Sequence, residues 1–212
     1  VCTDAAMLAP FASVASERRM LGKLLPGGVM ASAAFRADLK ALCALAERLA
    51  QPDARELLRR RMDGFAYTAL GGRAVPEVLD GIGPDVLLAV GGRGEGGEPA
   101  AFALLASIRT PYARDALVSL GRALYGAAAM QKRDARREEG ERGAFFSGAV
   151  GPHDVTIGVR DDLLCVSTSE ALARAVCAAD AAPVGAPESA DRPACAAALD
   201  TAALGSWLRR NK

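Results

Sequence analysis

The chain has 212 residues, with 26 Lys and Arg against 25 Asp and Glu and a formal net charge of +1. No overall field therefore draws it to nucleic acid or to an anionic membrane. Apolar residues make up 51% but aromatics only 5%, so Ala, Leu and Val must fill the interior of one large or two small domains. The longest apolar run, AAFALLASI at 100–108, is far short of the roughly 20 residues a membrane-spanning helix needs.

Residues 1–62 read as a mainly helical N-terminal part. In FRADLKALCALAERLA, Phe35, Leu39, Leu42, Ala46 and Leu49 recur at three- and four-residue steps, with Arg36, Lys40, Glu47 and Arg48 elsewhere. That spacing predicts a helix with one buried and one wet face. Pro26-Gly27-Gly28 breaks the helix before it, and Asp53 is placed to cap a short helix through ARELLRRRM. Arg59, Arg60 and Arg61 would end that helix, complementing its dipole and staying solvated.

After Met62 the period changes, and an α+β sheet domain is expected over 63–180. DVLLAV (85–90) and AAFALLASIR (100–109) read as strands, the second with Phe102, Leu104 and Ile108 on one face. Thr110 and Pro111 then open a helix whose buried stripe is Ala113, Leu117, Leu120 and Leu124. QKRDARREEGER (131–142) mixes both charges densely with no apolar period, so it reads as a solvated helix end or loop. Three further strands follow, AFFSGAV, VTIGV and LLCVST, then the helix EALARAVCAA.

A Pro/Ala/Gly/Ser linker at 181–193 leads to a strand, ACAAAL, and a closing helix, DTAALGSWLRR, within 194–212. DAAMLAPF from Asp4 and DTAALGSW from Asp200 share Asp first, Ala third, Leu fifth and an aromatic eighth. If that echo is a true repeat, 194–212 starts a second copy.

Motifs with chemistry are sparse. Gly92, Gly94 and Gly97 carry the letters of a dinucleotide fingerprint, but the loop runs into a strand where that fold needs a helix. It therefore reads as a hairpin connection. Cys2, Cys43, Cys165, Cys177 and Cys195 include no CxxC pair, and the single histidine removes multi-histidine metal sites. The bland reading of these cysteines is as small buried hydrophobes. None of Ser147, Ser167, Ser169 and Ser206 lies in Gly-x-Ser-x-Gly.

The densest candidate is HDVTIGVRDDLLCVSTSE. With Asp161 and Asp162 as a two-residue turn, Gly158 faces Cys165 and Thr156 faces Ser167. Alternation then sends Val155, Ile157, Val159, Leu164, Val166 and Thr168 to one face, read as the core, and Cys165 to the other. His153 would lie some five residues along from Cys165, about 16 Å at roughly 3.3 Å per residue, too far for a nucleophile and base. Ser167 with Glu170 fits a capping box, and Ser169 alone would cap one turn later. On this register Val166→Asp is expected to unfold the protein.

The run GIGPDVLLAVGG…PAAFALLASIRTPYARDALVSLGRALYG…HDVTIGVRDDLLCVSTSEALARAV resembles a family of bacterial extracytoplasmic domains of unknown function, built from duplicated α+β units in envelope or lipoprotein-type proteins. The shared pattern is Gly83-Pro84 before a strand, a strand running into a Pro-started helix over 100–124, and the strand, Asp-turn, strand and helix of 155–176. The resemblance implies an extracytoplasmic location, periplasmic, lipoprotein or secreted, and brings no catalytic residues.

The expected fold is α+β, a mostly antiparallel sheet with helices packed on one face and an additional N-terminal helical layer. The leading functional expectation is a non-catalytic binding or scaffolding module of the bacterial envelope. Its partner would be a protein or envelope component and not nucleic acid, with no cofactor, no metal and no catalytic residue. An uncharacterised hydrolase or thiol enzyme with a site assembled from distant segments is the alternative, and a soluble ligand carrier the third.

Overall fold

A computed structural model describes residues 21–26, 29–91, 101–140, 143–151 and 153–178, together with the backbone of 195–199. The Gly-rich segment after Gly91, the linker 181–193, both halves of the Asp4/Asp200 echo, the closing helix, Cys2, Ser206 and the side chain of Cys195 lie outside the described residues.

Eight strands form one antiparallel sheet. They are β1 (Val29–Arg36), β2 (Ile82–Gly91), β3 (Ala101–Ile108), β4 (Arg136–Gly140), β5 (Gly143–Val150), β6 (His153–Arg160), β7 (Leu163–Ser167) and β8 (Cys195–Leu199). Their spatial order is β4-β5-β6-β7-β3-β2-β1-β8. The helices are α1 (Leu39–Leu49), α2 (Pro52–Ala69), α3 (Val75–Asp80), α4 (Pro111–Met130) and α5 (Glu170–Ala178), with a 3₁₀ turn at Leu21–Leu24. The protein is therefore α+β with an antiparallel sheet, as the alternating strand patterns predict.

The helix α4 begins as its sequence dictates: the Thr110 hydroxyl accepts from Ala113 N at 3.2 Å, and Pro111 occupies the first turn. Its stripe of Ala113, Ala116 and Leu117 packs on one sheet face with Ile82, Val86, Ala106, Ile108, Ile157, Val159 and Leu164. Leu120 and Leu124 sit at the margin of the same cluster. The course of α4 is diagonal. Ala113 lies against Gly81 before β2, whereas Gly121 meets Phe146 and Ala128 meets Gly148, both on β5. Leu70, Val78 and the flanking Leu39, Val75 and Leu79 bring the N-terminal helices onto the same cluster.

The opposite face is also core. Leu87, Ala89, Ala103, Leu105, Leu163 and Cys165 pack there beneath Leu172, Ala173 and Val176 of α5 and Leu21 and Leu24 of the 3₁₀ turn. Alternation in the β6–β7 hairpin thus separates two cores, rather than a core from a solvated face. Leu105, Leu163, Cys165 and Val176 are among the most completely buried side chains of the described residues.

Four local expectations are corrected. Val29–Arg36 is extended, so Phe35 ends a strand instead of opening a helical stripe, and the helix starts at Leu39 with Asp38 Oδ1 accepting from Ala41 N at 2.8 Å. The second helix is not short: it starts at Pro52 after Gln51, carries Asp53 in its first turn and runs on to Ala69. Arg59, Arg60 and Arg61 are consequently in mid-helix, where Arg59 pairs with Glu47 at 3.6 Å and Arg60 with Glu56 at 2.9 Å. The short helix α3, Val75–Asp80, carries no long periodic signal in the sequence.

The fourth correction concerns 131–142, where Arg136–Gly140 is an exposed edge strand on β5. Its register explains how so charged a segment holds a strand. Glu139 accepts from Arg122 of α4 at 2.7 and 2.9 Å, and the adjacent Glu138 accepts from Arg174 of α5 at 2.7 and 2.9 Å. Alternate carboxylates thereby tie the edge to a helix on each side of the sheet. The row of charge also discourages edge-to-edge association.

The Arg122 hydrogen bonds, reinforced by Arg137, hold the Glu139 carboxyl at about 2. A carboxylate depressed in the folded state stabilises above its unfolded value of about 4.3 and loses that contribution as pH falls through the folded value. Because the pair is solvent-facing, Arg122→Ala should cost less than about 1 kcal/mol at neutral pH. The gap between wild-type and variant melting temperatures should close between about pH 4.5 and 2. A gap that stays constant through that window would remove Glu139 as its source.

Candidate functional site

The hairpin of β6 and β7 has the register its turn predicts, with Gly158 opposite Cys165 and Thr156 opposite Ser167. Asp161 and Asp162 form the turn and are held by arginines, Arg114 to Asp161 at 2.8 Å and Arg160 to Asp162 at 3.0 Å. No group of three or more potential metal-ligating side chains occurs among the described residues.

His153 is exposed at the start of β6, opposite Val150, and Cys165 is fully buried under α5. Register and alternation put the two on opposite faces and five residues apart along the hairpin, so they form no dyad. The hydroxyls divide their work. Ser169 Oγ accepts from Leu172 N at 3.3 Å and is the cap of α5, whereas Ser167 Oγ accepts from Ser169 N at 3.0 Å and donates to Phe102 O at 2.8 Å. Thr168 is exposed, not core, and its Oγ1 accepts from Phe102 N at 2.9 Å. Ser167 and Thr168 therefore clamp the start of β3.

Ser147 approaches a carboxylate, with Oγ 3.1 Å from Thr156 Oγ1 and 3.5 Å from Glu170 Oε2. Glu170 also accepts from Arg174 Nε at 2.8 Å, and that bond holds its carboxyl below the usual range. A carboxylate so engaged is a poor general base. Arg174 in turn lies 5.2 Å from the Phe145 ring centroid. The cluster is a structural tie between β5, β6 and α5.

What the sequence does not single out is an open apolar concavity of about 440 Å³ on the α4 face of the sheet. Its floor comprises Leu88 and Val90 of β2, Phe102 and Leu104 of β3, Val155 of β6 and Val166 of β7. Strand pairing aligns these positions: Leu88 with Leu104, Val90 with Phe102, Leu104 with Val166. Leu88 is 43% exposed and Phe102 56% exposed, in a sheet whose other large apolar side chains are mostly covered. The cause is the diagonal of α4, which runs from Gly81 before β2 across to Phe146 and Gly148 of β5, so that among the described residues no helix packs over Leu88 and Phe102. Isolated exposed hydrophobes are ordinary, but a contiguous apolar patch marks a contact surface.

No family model, curated protein or solved structure matches this chain. No helix among the described residues is long and apolar enough to cross a membrane.

Proposed function

We propose that this chain is a non-catalytic binding module of the bacterial cell envelope that receives the apolar stripe of a partner protein's helix on the open end of its sheet. The observation that carries the proposal is the concavity over Leu88, Val90, Phe102, Leu104, Val155 and Val166. The envelope location is supported by the resemblance of the strand-turn-strand-helix ending and the Pro-started helix to extracytoplasmic α+β domains.

The shape of the patch favours a helix over other occupants. It lies in mid-sheet, where β2, β3, β6 and β7 are all paired on both sides, so a partner cannot add a strand there. It is also open rather than enclosed, which suits side chains projecting from a larger surface better than a carried small ligand. An amphipathic helix laid beside α4 would complete the helical layer that α4 leaves unfinished.

A labelled synthetic amphipathic peptide of leucine and lysine is the probe. It should bind the wild-type chain saturably, and Leu88→Asp with Phe102→Asp should weaken binding by about tenfold or more, with the melting temperature nearly retained. Equal binding by wild type and variant would overturn the proposal. So would a wild-type chain that buries the patch by self-association, detected as a dimer that the double variant dissolves.

A further inference from the structure

We propose that Cys177 and Cys165 form a thiol–disulfide exchange site, with Cys177 as the attacking thiol and Cys165 as the resolving one, and with a low-molecular-weight disulfide as oxidant. This goes beyond the binding surface, which lies on the other face of the sheet, and does not depend on it.

The geometry comes from the β6–β7 register and the packing of α5. Gly158 is the direct cross-strand partner of Cys165. A Cβ added to Gly158 would lie 2.8 Å from the Cys177 sulfur. The Cys177 side chain therefore rests on the bare backbone beside Cys165, in a space that exists because residue 158 has no side chain. There the two cysteines pack in one cluster across the α5–β7 contact, Cys165 buried within it and Cys177 against its edge. Both sulfurs are free in the structure.

The environments give the two sulfurs different roles. Cys165 is 0% exposed, so no external disulfide can reach it. Cys177 is only partly buried. Hydrogen bonding to Cys177 and burial push the Cys165 thiol up, whereas the hydrogen bond from Cys165, with the charge of Arg160, lowers Cys177 against the opposing effects of burial and Asp162. Arg160 also donates to the Cys177 carbonyl at 3.4 Å. Cys177, the partly exposed member of the pair, is thus the thiol an external disulfide meets first, and a partly exposed thiol beside a second cysteine is the arrangement that exchange requires.

The steps balance. The Cys177 thiolate attacks one sulfur of RSSR, forming a Cys177–SR bond and breaking RS–SR, and the released RS⁻ takes up the proton Cys177 lost. Cys165 then loses its proton and attacks the Cys177 sulfur, forming the Cys165–Cys177 bond and expelling the second RS⁻, which is protonated to RSH. Two protein thiols are oxidised, and one disulfide is reduced to two thiols. The product staples α5 to β7.

Oxidised glutathione added to the full chain, followed by alkylation of remaining thiols and peptide mapping, tests the assignment. In the wild type a Cys165–Cys177 cross-linked peptide should accumulate without a lasting glutathione adduct. In Cys165→Ala the adduct should persist on Cys177. In folded Cys177→Ala, Cys165 should react on the order of tenfold or more slowly than Cys177 does in Cys165→Ala. Amide exchange in 170–178 should slow on oxidation of the wild type alone. A persistent Cys177 adduct in wild type, an unreactive Cys177, or a Cys165 that reacts as fast as Cys177 would overturn it.

Discussion

Gly121→Ala should destabilise the protein by about 1–3 kcal/mol, the usual cost of forcing extra carbon into a filled core. Gly121 is buried in α4 at its crossing with β5, where the ring of Phe146 occupies the space a side chain would take. A Cβ there would lie 2.6 Å from Phe146 Cγ and 2.7 Å from Cε2 and would meet Cδ2 closer still. Phe146 is 0% exposed, so its ring can move only by displacing other core atoms. The same helix contains its own control. A Cβ on Gly126 meets nothing within 4 Å, so Gly126→Ala should stabilise by about 0.4–1 kcal/mol through better helix propensity and a less flexible unfolded chain. Urea unfolding of the two variants should therefore give opposite signs. A stabilised Gly121→Ala would mean that Phe146 does not rest on α4.

The contrast between these two glycines shows where sequence reasoning stops. In the sequence Gly121 and Gly126 are both interruptions of one Ala/Leu helical pattern, and only the strand facing the helix distinguishes them. Signals contained within a few residues were legible: the Asp161-Asp162 turn counts out the β6–β7 register, and Thr110-Pro111 opens α4. Signals that depend on distant partners were not. The strand at Val29–Arg36 is rich in small residues and lacks alternation, so the helical spacing from Phe35 to Leu39 competed with it and the neighbouring β2 decided the outcome. The charged strand at Arg136–Gly140 has no apolar face at all; its order comes from β5 beside it and from Arg122 and Arg174 on helices on either side.

The candidate surface was hidden for the same reason. Phe102 and Leu104 look like core in an alternating strand, and their exposure follows from the direction α4 takes across the sheet. Similarly, Cys165 and Cys177 are 12 positions apart in sequence and carry no motif spacing. They meet because α5 folds back over its own hairpin onto Gly158. The general reading of the cysteines as buried hydrophobes holds for Cys165, whereas alternation set it on the face opposite the expected core, a face that α5 in fact covers, and its sulfur neighbour was not readable.

The sharpest test of which part of the α4 face is covered is a pair of substitutions two residues apart on one strand. Leu164→Asp should unfold the protein. Leu164 is 6% exposed within the cluster formed with Ala113, Leu117 and Val159, and an unpaired buried carboxylate costs several kcal/mol, a large part of the total stability of about 5–15 kcal/mol. Val166→Asp points to the same face, yet Val166 is only partly buried and lines the open concavity. The new carboxylate would remain in contact with water, and the loss should be limited to about 1 kcal/mol of strand propensity and packing. That corresponds to a shift of roughly 2–4 °C in melting temperature for a chain of this size. The sequence alone predicts unfolding for Val166→Asp, because alternation cannot distinguish a covered end of a strand from an uncovered one. Far-UV circular dichroism and thermal melts of both variants separate the two cases. If Val166→Asp unfolds as Leu164→Asp does, the concavity is already occupied in solution, and a partner helix cannot be its ligand.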